Sequence, residues 1–96
     1  MGIWRIVGAF RYVYQTGETM THHILKIDPE YAMQKALGNK LFEIRRNDRD
    51  FKVGDKVHYV SSEDNYYFNC TYTITYITNY EQKPGFVVFG DRLEPK

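Results

Sequence analysis

The stretch GNKLFEIRRNDRDFKVGDKV, Gly38 to Val57, decides how the chain is read. It crowds Lys40, Glu43, Arg45, Arg46, Asp48, Arg49, Asp50, Lys52 and Asp55 together and threads apolar residues between them. Its first part, KLFEIRR, alternates as a strand does, because successive strand side chains point to opposite faces. Phe42 and Ile44 are expected to enter the core, with Glu43 and Arg45 projecting together on the other face. Lys40 shares parity with the apolar pair, so it must sit off the strand, at the rim. The second part, NDRDFKVGD, has too few apolar positions for a core strand. Asp48 and Asp50 can bond their own backbone, Gly54-Asp55 reads as a turn, and Phe51 and Val53 are expected to pin this loop to the core. KVHYV is then a further strand.

Upstream, DPEYAMQKALGN reads as a helix with both ends marked. Asp28 can cap the free amides, Pro29 suits the first helical position, and Gly38 suits a left-handed C-terminal turn. Met33, Ala36 and Leu37 form its narrow apolar stripe, expected to face the core. THHILKI, residues 21–27, precedes it as a strand. Downstream, SSEDNYYFN reads as a polar and aromatic loop. CTYTITYIT is a strand with Cys70, Tyr72, Ile74 and Tyr76 on one face and threonines on the other. GFVVFG closes the sheet after Pro84 and Gly85. One helix beside five to six short strands defines an α+β domain, its curved sheet closing into a small mixed barrel.

The N-terminal IWRIVGAFRYVYQ reads as a single strand, with Trp4, Ile6, Phe10, Tyr12 and Tyr14 on one parity. Residues 1–20 thus form a strand-like segment ahead of a domain at 21–96. Met20 directly opens the next strand, and the GET before it could be encoded by a purine-rich ribosome-binding sequence. Either the segment belongs to the natural product, or Met20 is the start and residues 1–19 are an upstream extension. The mass of the natively expressed protein decides between them.

At 96 residues the chain supports one domain and one core. Nine Tyr, six Phe and one Trp supply the bulk that so short a chain needs. The net charge of +1 does not announce a nucleic-acid binder, but its distribution is uneven. Residues 40–60 carry six Lys or Arg against four acids, whereas 61–96 carry three against five. The single cysteine, Cys70, excludes an internal disulfide and multi-cysteine zinc patterns, and reads as an inert, buried thiol. No metal site or cofactor is expected, because no spacing supplies three suitable ligands. No apolar run approaches the roughly 20 residues that span a bilayer, so a cytoplasmic protein is expected.

From His23 onward, HILKIDPEY, GNKLFEIRRNDRDFKVGD, a threonine-rich strand and GFVVFG follow in an order that resembles the ASCH superfamily. The match looks closest to a small family of unknown function common in bacteria and their phages. Its most specific element is G-x-K-x-x-E-x-R, here Gly38, Lys40, Glu43 and Arg45. A trailer of Asn47, Asp48, Arg49, Phe51, Gly54 and Asp55 follows. The resemblance implies a PUA-like β-barrel with a cleft for RNA or a modified nucleotide. Some small ASCH relatives hydrolyse an acylated cytidine with a Lys and a Thr from this motif; Lys40 matches the lysine, while Glu43 fills the threonine position.

The ligand-binding set expected on these grounds is His23, Lys40, Glu43, Arg45, Asn47, Arg49 and Tyr67. Glu43 and Arg45 either pair with each other or hold a ligand, the guanidinium meeting phosphate and the carboxylate a base amine. Arg49 is either presented to ligand or paired with Asp48 or Asp50. His23 either stacks and moves protons near Glu43 or is buried and paired. Tyr67, in NYYF, either stacks on a base or closes one barrel end. The first functional reading is a non-enzymatic module that binds RNA or a modified nucleotide. The alternatives are a modified-nucleoside amidohydrolase, with Glu43 activating water and Lys40 stabilising the oxyanion, and a phage or prophage accessory protein acting through protein contacts.

Overall fold

The computed structural model describes the backbone of residues 3–6, 12–15, 20–64 and 67–95, with side chains for 20–64 and 68–95. The chain forms β1 (Ile3–Ile6), β2 (Tyr12–Gln15), β3 (Thr21–Ile27), α1 (Pro29–Ala36), β4 (Phe42–Arg46), β5 (Lys56–Ser61), β6 (Tyr67–Thr78) and β7 (Phe86–Leu93). Strands β3 to β7 with the one helix make a curled half-barrel, which bears out the α+β class and the small mixed barrel-like sheet, although the sheet as a whole has seven strands where five to six were expected. β1 and β2 extend the sheet beyond β3, so Ile3–Ile6 and Tyr12–Gln15 are two antiparallel strands, with Ile3 opposite Gln15, where a single strand was expected. The side chains of Trp4, Ile6, Phe10, Tyr12 and Tyr14 lie outside the described residues, as does the question of a start at Met20.

The helix ends behave as their residues dictate. The Asp28 carboxylate accepts from the Glu30 N–H at 2.9 Å, Pro29 opens the helix, and Gly38 takes φ +79° just beyond it. Strand order is β1-β2-β3-β5-β6-β7-β4. β3 and β5 run parallel, and the chain between them crosses through α1 and β4. β4 therefore ends up on the far edge, antiparallel to β7, with Glu43 opposite Phe89 and Arg45 opposite Val87.

The core gathers alternate residues from four strands: Leu25 and Ile27, Val57 and Tyr59, Tyr72 and Ile74, Val87 and Phe89, with Phe51 from the loop. Each such side chain contributes roughly 1.5–3 kcal/mol on burial. Phe51 thus pins the loop as expected, whereas Val53 is exposed. Cys70 and Phe68 are partly buried and pack against this core, and β6 already starts at Tyr67, so the expected loop is shorter than read.

Two expected faces are inverted. Phe42 and Ile44 are 45% and 55% exposed, while Glu43, expected outside, is 3% exposed. On α1, Met33, Ala36 and Leu37 face water; Ala32 packs on the core, and Lys35 is buried at 5%. Both inversions have one cause: Lys35 and Glu43 meet inside the half-barrel, so each draws its element's charged face inward. A third departure is local. The β6 register shifts between Ile74 and Tyr76, which turns Tyr76 out to solvent although Tyr72 and Ile74 are buried.

Candidate functional site

Because the sheet curls without closing, β4 returns to face the end of β3, and the seam between them is a cleft of about 530 Å³. One wall is Lys26, Ile27 and the cap Asp28; Tyr31 of α1 overhangs; the opposite wall runs from Lys40 through Phe42, Glu43, Ile44 and Arg45. A volume of this order falls in the range of small-ligand sites. The acidic side chain and the two cationic ones that the motif predicted do meet at a concavity.

Glu43 is the hub. Its Oε2 accepts from Lys40 Nζ at 2.6 Å and lies 3.1 Å from Lys35 Nζ, while Oε1 accepts from Arg45 Nη2 at 3.2 Å. Behind it, Lys35 Nζ donates to both oxygens of Asp91 at 2.8 Å, and the Tyr59 hydroxyl donates to Asp91 Oδ2 at 2.5 Å. The rings of Tyr59 and Tyr72 stand 5.1 and 5.2 Å from the same ammonium. Three cations against two carboxylates leave this cluster one positive charge in surplus. Burying charges costs several kcal/mol each unless partners satisfy them, and here each carboxylate has more than one.

The titration behaviour follows. Burial alone pushes the Glu43 carboxyl up, but the hydrogen bond from Lys40 and the charges of Lys35 and Arg45 outweigh it and hold it below its usual value. Burial, with the nearby Asp91 and Glu43 charges, raises the Tyr59 hydroxyl far above its ordinary value, so it stays a donor. Lys40 and Arg45 keep 16% and 23% of their side-chain surface at the cleft mouth. Lys40 also donates to the Phe42 carbonyl at 2.9 Å, and its ammonium lies 5.3 Å from the Tyr31 ring and 5.0 Å from the Phe42 ring. The arrangement can therefore present two fixed cations and two aromatic faces to a ligand, with a saturated carboxylate behind them.

The remaining expected residues are elsewhere. His23 is fully buried, bonded to Asp55 Oδ2 at 2.8 Å and packed on Phe51, and does not line the cleft. It sits on the core parity of β3 with Leu25 and Ile27, which resolves its two readings toward the paired one. Asp55 also accepts from the Thr21 and Lys52 N–H groups, so this pair ties the charged loop to β3. Asn47 accepts from the Phe51 N–H at 3.0 Å and shapes that loop. Arg49 donates to the Ile24 carbonyl and braces β3 instead of lining the cleft. The side chain of Tyr67, with Asn65 and Tyr66, lies outside the described residues.

Reading the sequence missed Lys35, Asp91, Lys26 and Tyr31. Asp91 left a signal, since Val87, Phe89 and Asp91 share one parity of β7 and all three are buried. Lys35 left none, because its partners Glu43 and Asp91 sit on other elements, outside the reach of the helix's own periodicity.

Fold and site together define a small α+β half-barrel whose open seam carries a cationic, aromatic cleft over a buried ion cluster. The chain belongs to the family described as domain of unknown function (DUF3850), which matches residues 22–90. That span takes in every residue that lines the cleft. No curated protein matches the chain.

Proposed function

We propose that the protein is a PUA-like binding module of the ASCH type that accommodates a short single-stranded RNA or a modified nucleotide in the β3–β4 seam. The observation that carries this reading is the convergence of Lys26, Lys40 and Arg45 with the rings of Tyr31 and Phe42 on one cleft of nucleotide size. Phosphate meets the cations, which a guanidinium can bind bidentately, and a base stacks on an aromatic face for roughly 1–3 kcal/mol. Glu43 holds Lys40 and Arg45 in place; with both oxygens occupied, it is a positioning residue and not a base reader. The small net charge fits a short target, since long duplexes are held by many phosphate contacts. The bacterial or phage cytoplasm is the setting that goes with this reading.

The test is titration of the full chain with short single-stranded RNAs and ribonucleoside monophosphates at two salt concentrations. Binding should weaken with salt and fall about tenfold or more in the Lys40→Ala/Arg45→Ala double variant. Affinity that ignores both changes would overturn the proposal.

The hydrolase alternative, with Lys40 and Glu43 as its catalytic pair, finds less support. A general base works best with a pKa near the operating pH, and three cations hold Glu43 below its ordinary value. The protein-contact alternative leans on the aromatic loop at 65–68, where Phe68 packs against the core and the side chains of 65–67 lie outside the described residues.

A further inference from the structure

With Glu43 saturated, something else in the cleft must distinguish one base from another, and the register of β4 supplies it. In an antiparallel pair, alternate residues turn both peptide groups toward the partner strand, and the residues between turn theirs away. The Asn47 N–H donates to Gly85 O at 2.8 Å and the Asp91 N–H to Leu41 O at 3.3 Å, with Glu43 opposite Phe89 and Arg45 opposite Val87. The odd-numbered residues therefore bond to β7. Phe42, Ile44 and Arg46 aim their N–H and C=O away from it, on the side where β4 is an edge strand. Lys40 confirms the direction, because its ammonium reaches the Phe42 carbonyl on that side.

Most of this edge is already engaged or misplaced. The Phe42 carbonyl is taken by Lys40, and Arg46 does not line the cleft. Ile44 does line it, and among the described residues no donor or acceptor meets its outward N–H and C=O. What remains is one N–H beside one C=O, a single amide-like edge. An added peptide strand needs several such pairs in succession, so β-augmentation fits poorly. A nucleobase edge that presents an acceptor beside a donor fits well, in the way that an Asn or Gln amide pairs with adenine.

We propose that the main-chain N–H and C=O of Ile44 read the edge of one unpaired nucleobase, with the Lys40 and Arg45 cations holding its phosphate. This rests on the nucleotide-binding reading and assigns its base-recognition element. Among the described residues both groups are unpaired, and the sheet fixes them, so no side chain need be ordered to meet the base.

The four ribonucleoside 5′-monophosphates are titrated into the 15N-labelled full chain, and the tightest is repeated with Ile44→Pro and Ile44→Val. Proline removes only an N–H that faces away from β7, a position that edge strands tolerate. The Ile44 amide resonance should move on binding, and affinity should fall about tenfold in Ile44→Pro but not in Ile44→Val. Unchanged affinity in a folded Ile44→Pro variant overturns the assignment. Should that variant not fold, a wild-type Ile44 amide that stays put while the nucleotide binds overturns it equally. If no monophosphate and no short RNA binds wild type at all, the nucleotide-binding reading itself fails, which is a separable result.

Discussion

Glu43 shows how much one side chain can organise. It is buried on the inner face of β4, receives Lys40 and Arg45 from the cleft side, and faces Lys35 from the core side. Lys35 in turn neutralises Asp91 as well. Removing one partner of a buried ion pair strands the other, typically at 3–5 kcal/mol. Lys35→Met should therefore destabilise the protein by about 3–5 kcal/mol, because two carboxylates lose their shared cation. Glu43→Gln should cost less, since Asp91 still neutralises Lys35, yet it should weaken nucleotide binding by loosening Lys40 and Arg45. Urea denaturation of both variants, with binding measured alongside, checks the order. A Lys35→Met protein as stable as wild type would mean that the cluster contributes nothing to folding.

At the scale of the element, the ends of α1 and the alternation of its neighbouring strands rest on local chemistry. Asp28 accepts from Glu30 at the first turn, so Asp28→Ala should cost about 1 kcal/mol, readable as a lower denaturation midpoint with an unchanged slope. The same residue borders the cleft, so the variant also removes a negative charge from the wall opposite Lys40 and Arg45. Nucleotide affinity should then stay level or rise while stability falls. Local chemistry did not reveal which face each element buries. Met33 and Leu37 formed the more apolar stripe on α1, and Phe42 and Ile44 the more apolar face of β4, yet all four are exposed. Periodicity says which residues share a face; it does not say what lies opposite.

For the whole molecule, the parallel joint between β3 and β5 is where the crossover through α1 and β4 begins and ends. The rings of His22 and His58 stack across it, 5.1 Å apart and nearly parallel, with Nδ1 and Nε2 at 2.8 Å. Burial, with the Lys56 charge against His22 and the His22 charge against His58, lowers both pKa values from the ordinary 6.5, more than Glu94 restores. The folded state thus binds fewer protons than the unfolded one. This contribution to stability is fully present above pH 6.5 and is lost as pH falls through the folded values. Melting temperature should drop on acidification from about pH 7.5 to about pH 5, and His58→Gln should flatten that slope. A slope unchanged by the substitution would place the proton uptake elsewhere.

From the sequence alone came the α+β class, the bounds and caps of the helix, the strand alternation, and the meeting of Lys40, Glu43 and Arg45. All of these depend on neighbours within a few residues, and the last was carried by the motif spacing. Tertiary structure alone decided that the charged faces of α1 and β4 turn inward, that His23, Asn47 and Arg49 serve the loop and the sheet, and that the cleft is an unclosed seam. The reason is distance along the chain: Lys35 finds Asp91 56 positions away, and no local pattern records a partner that only the curl of the sheet brings near.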